Sequence, residues 1–282
     1  MKPCCVITLT DDYVKQRPFY ANNSVKSFKK WHPEIEVIIL NDELLKPYDT
    51  DSHFYSFGLA RFSFIKDLFS KGYTKVIHLG ADTLTLSRFD EFLDDNTTPM
   101  IATLDFNGKF FHDMYPPDIH PFYKPHHGII DWPLINSDVC CFNNPGIISD
   151  IENECRSNNR HEQAGMNYVY PRGIKIVDYP YNYSPFVYNN RSKGWLGTGC
   201  VIDGKFHFGF DGPKIGEFNP IFFWKPVGDR LFNHLGKHVK AFHFCIQDSS
   251  EDPKTWFNEE TVKFFVEQCE CDWSLKFLDE CK

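Results

Sequence analysis

Lys75-Val76-Ile77-His78-Leu79-Gly80-Ala81-Asp82-Thr83-Leu84-Thr85-Leu86 is the stretch that decides the fold. Residues 74–79 are a short apolar run closed by a glycine and an aspartate, which reads as a buried strand ending in a turn. Upstream, residues 59–71 (LARFSFIKDLFSK) place Leu59, Phe62, Ile65 and Phe69 on one helical face, and Gly72 ends the helix. Before that comes a strand over 36–40 (EVIIL). A helix over 20–31 precedes it, with Val25, Phe28 and Trp31 at helical spacing and His32-Pro33 as its stop. The first strand covers 4–9 and is bounded by Thr10-Asp11-Asp12. Strand, helix, strand, helix, strand predicts an α/β fold: a doubly wound, mostly parallel central sheet with flanking helices. Ligands of such sheets sit at the carboxyl ends of the strands, so the turns at 10–12 and 80–83 belong to one functional edge.

Downstream, the pattern predicts strands over 100–104, 134–142, 174–178, 205–210 and 239–244, and helices over 145–156 and 161–170. A helical tail from residue 258 carries a Glu-rich first turn suited to the helix dipole. The long loop 105–132, rich in Phe, His and Pro, reads as a lid or acceptor-site insertion, and 179–193 joins it on the acceptor side. Nothing rich in Pro, Gly and Ser divides the 282 residues. We therefore read one domain over 1–282: a nucleotide-binding half (1–104), an acceptor and sugar half (105–256) and the tail (257–282).

With 30 basic against 38 acidic residues the net charge is −8. That argues against a nucleic-acid or anionic-membrane surface as the main partner, since phosphate backbones need concentrated positive charge. The chain has 28 Phe, 13 Tyr and 6 Trp, which suits an aromatic core and equally a sugar-binding cleft. The first residues lack the features of a signal peptide and no apolar run spans a bilayer, so a cytoplasmic protein with reduced cysteines is expected. The pairs Cys4-Cys5 and Cys140-Cys141 lie in strands, where neighbouring side chains point to opposite faces as small buried hydrophobes. Cys269-Glu270-Cys271 lacks the spacing of a zinc site.

Asp82, held directly after a buried strand, is placed to bind a divalent ion that bridges phosphate oxygens; an aspartate there also serves as an ordinary turn cap. The segment 75–86 resembles the D-x-D region of glycosyltransferases with the GT-A fold, and specifically family 8, which includes glycogenin and lipopolysaccharide galactosyltransferases. The resemblance recurs in order over residues 6–256. Val6-Ile7-Thr8-Leu9-Thr10-Asp11-Asp12-Tyr13 looks like the family's opening strand and uridine-binding turn, and Ala60-Arg61-Phe62 like its donor-facing helix. Ile135-Asn136-Ser137-Asp138-Val139 is similar to F-N-[AS]-G-V, and Glu162-Gln163-Ala164-Gly165-Met166-Asn167 to D-Q-x-x-L-N. Ala241-Phe242-His243-Phe244, with Lys254-Thr255-Trp256, resembles the I-I-H-F…K-P-W ending.

The resemblance implies a hexosyltransferase that uses a UDP-sugar, retains anomeric configuration and acts on a hydroxyl of a glycan, glycolipid or protein. It implies Mn²⁺ or Mg²⁺ held by Asp82 and His243. Leu9, Thr10, Asp12 and Tyr13 would hold base and ribose, with Ala81 beside the donor, and Arg61 and Lys254 would meet its phosphates. Asn136, Asp138, Glu162 and Gln163 would line the sugar and acceptor, with Gln163, Asp138 and Arg61 as catalytic candidates.

The chain departs from the family pattern at several positions. Gly80 stands where D-x-D has its first Asp, which removes one carboxylate from the expected metal set. Asp138 replaces a glycine and adds a carboxylate near the sugar. Cys245-Ile246 stands where glycine is expected, and Thr255 replaces a proline. A non-catalytic nucleotide-sugar-binding protein therefore stays open as a second reading. A sugar nucleotidyltransferase is a third, disfavoured by the acidic Thr10-Asp11-Asp12 turn where a triphosphate would want basic residues.

Overall fold

A computed structural model describes residues 2–16, 18–48, 56–104, 135–158, 162–177, 200–202, 205–207, 224–233, 238–243, 263–265 and 267. The loops 105–132 and 179–193, Lys254, and the Cys245-Ile246, Thr255-Trp256 and Cys269–Cys271 segments lie outside the described residues, as does most of the C-terminal tail.

The anticipated alternation is present. Strand β1 (Pro3–Thr8) is followed by helices α1 (Asp11–Gln16) and α2 (Pro18–Trp31), then by β2 (Glu36–Leu40) and a short α3 (Asp42–Leu45). Next come α4 (Ser56–Ser70), β3 (Lys75–Leu79), β4 (Thr83–Thr85), α5 (Asp90–Asp94) and β5 (Met100–Leu104). After the long loop follow β6 (Ile135–Phe142), α6 (Pro145–Asn158), α7 (Glu162–Val169) and β7 (Ile174–Ile176). The remaining strands are β8 (Cys200–Ile202), β9 (Lys205–His207), β10 (Trp224–Val227), β11 (Arg230–Asn233) and β12 (Ala241–His243). The helix α4 stops where expected, because Gly72 takes a φ of 91°, a left-handed conformation that glycine adopts without a Cβ penalty.

Six strands form the central sheet in the order β2-β1-β3-β6-β5-β7. The pairs β1–β2, β1–β3 and β5–β7 are parallel, whereas β6 runs antiparallel to both β3 and β5. The sheet is thus mostly parallel with a single reversed strand. The paired cysteines divide between its faces as the pleat requires. Cys4 and Cys140 pack with Val6, Phe62, Ile65, Val76 and Ile148 on the face covered by α4, α6 and α7. Cys5 and Cys141 pack with Ile7, Phe28, Ile77, Phe89 and Phe92 on the face covered by α2 and α5. Each such buried aliphatic or aromatic side chain contributes about 1.5–3 kcal/mol to folding.

Three features were not foreseen. Residues Asp11 and Asp12, read as a turn, open α1, with Thr10 Oγ1 accepting the Tyr13 N–H at 3.3 Å. The short strand β4 pairs antiparallel with β12, aligning Thr83 with His243. Finally, the register between β5 and β6 jumps from Ala102–Cys140 to Thr103–Asn136, so residues 137–139 bulge out of that ladder.

Candidate active site

The bulge in β6 builds the site. On its other side β6 stays in register with β3, Leu79 opposite Val139, and the Gly80 N–H donates to the Asp138 carbonyl at 2.7 Å. The Asp138 side chain is thereby held beside the Gly80–Asp82 turn, just past the carboxyl end of β3. Asn136 fixes this bend, its Oδ1 accepting the Asp138 N–H at 2.8 Å. The Thr83 N–H closes the turn onto the Gly80 carbonyl at 3.2 Å, and Ala81 is 9% exposed.

Four side chains from distant parts of the chain converge here. His243, from β12, faces Asp82 Oδ1 with its Nε2 at 3.2 Å and Asp138 Oδ2 at 3.9 Å. Arg61, from α4, donates through one terminal nitrogen to Asp138 Oδ1 at 3.2 Å and through the other to Glu162 Oε1 at 2.9 Å. Burial alone would lower the pKa of this guanidinium; Glu162 and Asp138 outweigh it and raise the pKa. Arg61 is therefore a permanent cation, held rigidly by its two-pronged geometry.

Glu162, at the first turn of α7, is buried and needs room. Gly58 provides it: a Cβ at that position would run into Glu162 Oε2. The Ser137 hydroxyl donates to the Glu162 carboxylate at 3.3 Å, and Gln163 Oε1 accepts the Ser137 N–H at 3.2 Å. Asn167 acts as a clip: its amide donates to the Gln163 carbonyl at 2.8 Å and its Oδ1 accepts the Ile135 N–H at 3.2 Å. The motif Glu162-Gln163-…-Asn167 thus fastens α7 to the start of β6.

One further participant, His78, sits in the middle of the apolar strand β3 and was read only as part of it. Its Nδ1–H donates to the Ser137 carbonyl at 3.0 Å, and its Nε2 accepts from the Thr8 hydroxyl at 3.4 Å. Burial, with Arg61 nearby, lowers its pKa from the usual 6.5 to about 4, so it is neutral at physiological pH. A lone imidazole in an otherwise apolar strand was the sequence signal for it. Gly58 had none, and Ser137 entered only as part of the Ile135–Val139 motif.

The Thr10–Tyr13 turn follows β1, the parallel neighbour of β3, and so lies on the same sheet edge. Leu9 is anchored to β2, its N–H donating to the Leu40 carbonyl at 3.0 Å, while Asp12 is exposed and Tyr13 half-buried. Arg61, Ala81, Asp82, Asn136, Asp138, Glu162, Gln163 and His243 are brought together; Leu9, Thr10, Asp12 and Tyr13 stand on the adjoining strand end. Among the described residues no group of three or more His, Cys, Asp or Glu stands in a closed metal-binding arrangement. His243 faces both Asp82 and Asp138 without completing such an arrangement. No helix among those residues is long and apolar enough to cross a membrane.

No family model matches the sequence, and no curated protein matches it significantly. Solved structures do. The apo structure of WbbM, a bifunctional glycosyltransferase, matches 98% of this chain at 13% identity with a TM-score of 0.56, over 51% of its own length. This chain therefore spans about half of WbbM. The glycosyltransferase GlyE of Streptococcus pneumoniae matches all of this chain and 65% of its own, at 15% identity and a TM-score of 0.51. At these identities the likeness is one of fold: a GT-A-type α/β architecture.

Proposed function

We propose that this chain is a glycosyltransferase that moves a hexose from a UDP-sugar to a hydroxyl of a glycan, glycolipid or protein, with retention of anomeric configuration. One observation carries the reading: Arg61, Asp82, Asp138 and His243 converge from four separate elements at the carboxyl edge of a sheet whose architecture is shared with glycosyltransferases. Such convergence at that edge is where α/β sheets hold nucleotide ligands.

In this reading the Thr10–Tyr13 turn and Leu9 hold the base and ribose, and Ala81 lies against the donor. The donor sugar and acceptor lie against Asn136, Glu162 and Gln163. Arg61 and Lys254 face the diphosphate. A divalent ion, Mn²⁺ or Mg²⁺, fits the donor set of Asp82 and His243, since carboxylate oxygens and an imidazole suit such cations. Bound there, it would neutralise charge developing on the departing diphosphate. This chain's own contribution is preorganisation: Arg61 is fixed by two carboxylates, and His243 is buried and aimed at Asp82. Among the described residues no side chain stands out as a general base, which suits retaining transfer in which the leaving phosphate takes the acceptor proton.

The test is nucleotide release from UDP-, GDP- and CMP-sugars, with Mn²⁺ or with EDTA. Mn²⁺-dependent release from one UDP-sugar, abolished in Asp82→Ala, is the expected result. Release that survives EDTA would remove the cation from the reading. Tight UDP binding without turnover on any donor or acceptor would replace the enzyme with a nucleotide-sugar-binding protein.

A further inference from the structure

We propose that Asp138 is itself a ligand of the divalent cation, supplying from β6 the carboxylate that position 80 lacks. Gly80 and Asp138 would then be two halves of one exchange. The choice of cation rests on the transferase reading above; the geometry does not.

The first argument is spatial. A Cβ on Gly80 would lie 3.0 Å from Asp138 Cβ, 3.3 Å from Asp138 Cγ and 3.2 Å from Asp82 Oδ1. A side chain at position 80 would therefore press on Asp138, which would have to give by a few tenths of an ångström. The 2.7 Å hydrogen bond from Gly80 N–H to the Asp138 carbonyl locks the two residues side by side. The β6 bulge that swings Asp138 toward Gly80 leaves residues 137–139 unpaired with β5.

The second argument concerns orientation. Asp138 Oδ1 accepts from Arg61, which leaves Oδ2 as the oxygen facing His243 Nε2 at 3.9 Å. The same nitrogen is 3.2 Å from Asp82 Oδ1. Adjacent ligands of an octahedral cation with bonds of about 2.1 Å stand roughly 3 Å apart, and opposite ones roughly 4.2 Å apart. The 3.2 Å separation is close to that of adjacent ligands and the 3.9 Å one to that of opposite ligands, so each carboxylate stands at a distance from the imidazole that a shared cation would span.

A third observation is independent of the carboxylates. The Thr83 hydroxyl is fully buried and has no hydrogen-bond partner among the described residues. Thr83 pairs with His243 across the β4–β12 ladder, which puts both side chains on the same face. An orphaned hydroxyl beside the imidazole is a group that a ligand or its bound water would satisfy.

Charge points the same way. Arg61 meets the carboxylates of Asp138 and Glu162, and Asp82 faces His243. Sharing one carboxylate between Arg61 and the cation would also hold the two positive groups at a fixed separation, ready for the two phosphates.

The experiment is a titration of the full chain with Mn²⁺ alone, following free Mn²⁺ by its paramagnetic resonance signal. Asp138→Asn keeps an oxygen for Arg61 to bond and should weaken Mn²⁺ binding about tenfold or more. Gly80→Asp alone crowds two carboxylates together and should also bind less. The exchanged double variant Gly80→Asp/Asp138→Gly should recover to within about threefold of the wild type; a misfolded protein cannot produce that gain. Wild-type affinity in Asp138→Asn, no rescue in the double variant, or no Mn²⁺ binding by the wild type would each overturn the assignment. Rescued Mn²⁺ binding with no turnover on any donor would leave the assignment standing and sink the transferase reading instead.

Discussion

At the amino end of β3, Lys75 is 2% exposed, and its ammonium donates to the carbonyls of Phe92, Leu93 (2.9 Å) and Asp95 (2.7 Å). Past the carboxyl end, Arg61 is 8% exposed and lies between the carboxylates of Asp138 and Glu162. Both ends bury a cation, and they satisfy it in opposite ways. Lys75 meets neutral oxygens at the carboxyl terminus of α5, the negative pole of a helix, and the arrangement closes on itself. Arg61 instead meets two carboxylates, next to two groups, Asp82 and His243, that already face each other. The first arrangement serves only folding. In the proposed function the second faces a ligand, which is how a site would differ from a staple.

The largest expected effect breaks the open end. Arg61→Met leaves Glu162 buried without its cation and should cost about 3–5 kcal/mol in urea unfolding, with loss of any transfer activity. Unchanged stability would mean that the two carboxylates do not depend on Arg61. Lys75→Met at the closed end should cost about 2–3 kcal/mol by orphaning its carbonyl partners, while turnover per folded molecule stays at the wild-type level. A drop in turnover at unchanged KM would show that the two ends are not separable.

Acid sharpens the contrast. Burial lowers both His78, in the site, and His32, under Phe28 and Phe89, to about 4. His32 must stay neutral to accept the Phe89 N–H at 3.2 Å. Because the folded state binds these protons less tightly than the unfolded chain, their stabilisation is complete above about pH 6.5 and is lost as pH falls toward 4. The urea midpoint should decline over that window, by roughly 1–2 kcal/mol per histidine between pH 7 and 5. A flat profile would contradict the burial of both rings. The smallest effect is a reversal of sign. Gly→Ala within a helix normally stabilises, yet Gly58→Ala should destabilise by about 1–2 kcal/mol, because its methyl displaces Glu162. Thermal unfolding measures it, and a raised Tm would show that Glu162 yields freely.

Much of this architecture was legible before any coordinates. The apolar runs ending in Thr10-Asp11-Asp12 and Gly80-Ala81-Asp82 marked β1 and β3, and the amphipathic pattern from Leu59 to Phe69 marked α4. Periodicity and turn chemistry are local, so the residues themselves carry them. The alternation of Cys4-Cys5 and Cys140-Cys141 between faces was legible for the same reason. The reversal of β6 was not, since strand direction depends on what the chain does between strands, and residues 105–132 carry no motif that states it.

The site divided along the same line. From sequence alone came a list of polar residues at strand ends and helix starts, with Asp82, Asp138, Arg61, Glu162 and His243 among them. Only the tertiary structure decided that Asp138 packs against Gly80, that Gly58 clears room for Glu162, and that His78 joins β1 to β6. Each of these is a contact between residues far apart in the chain, fixed by the packing of strands and helices against one another. Such packing is a property of volume and register, which no local pattern of residues records.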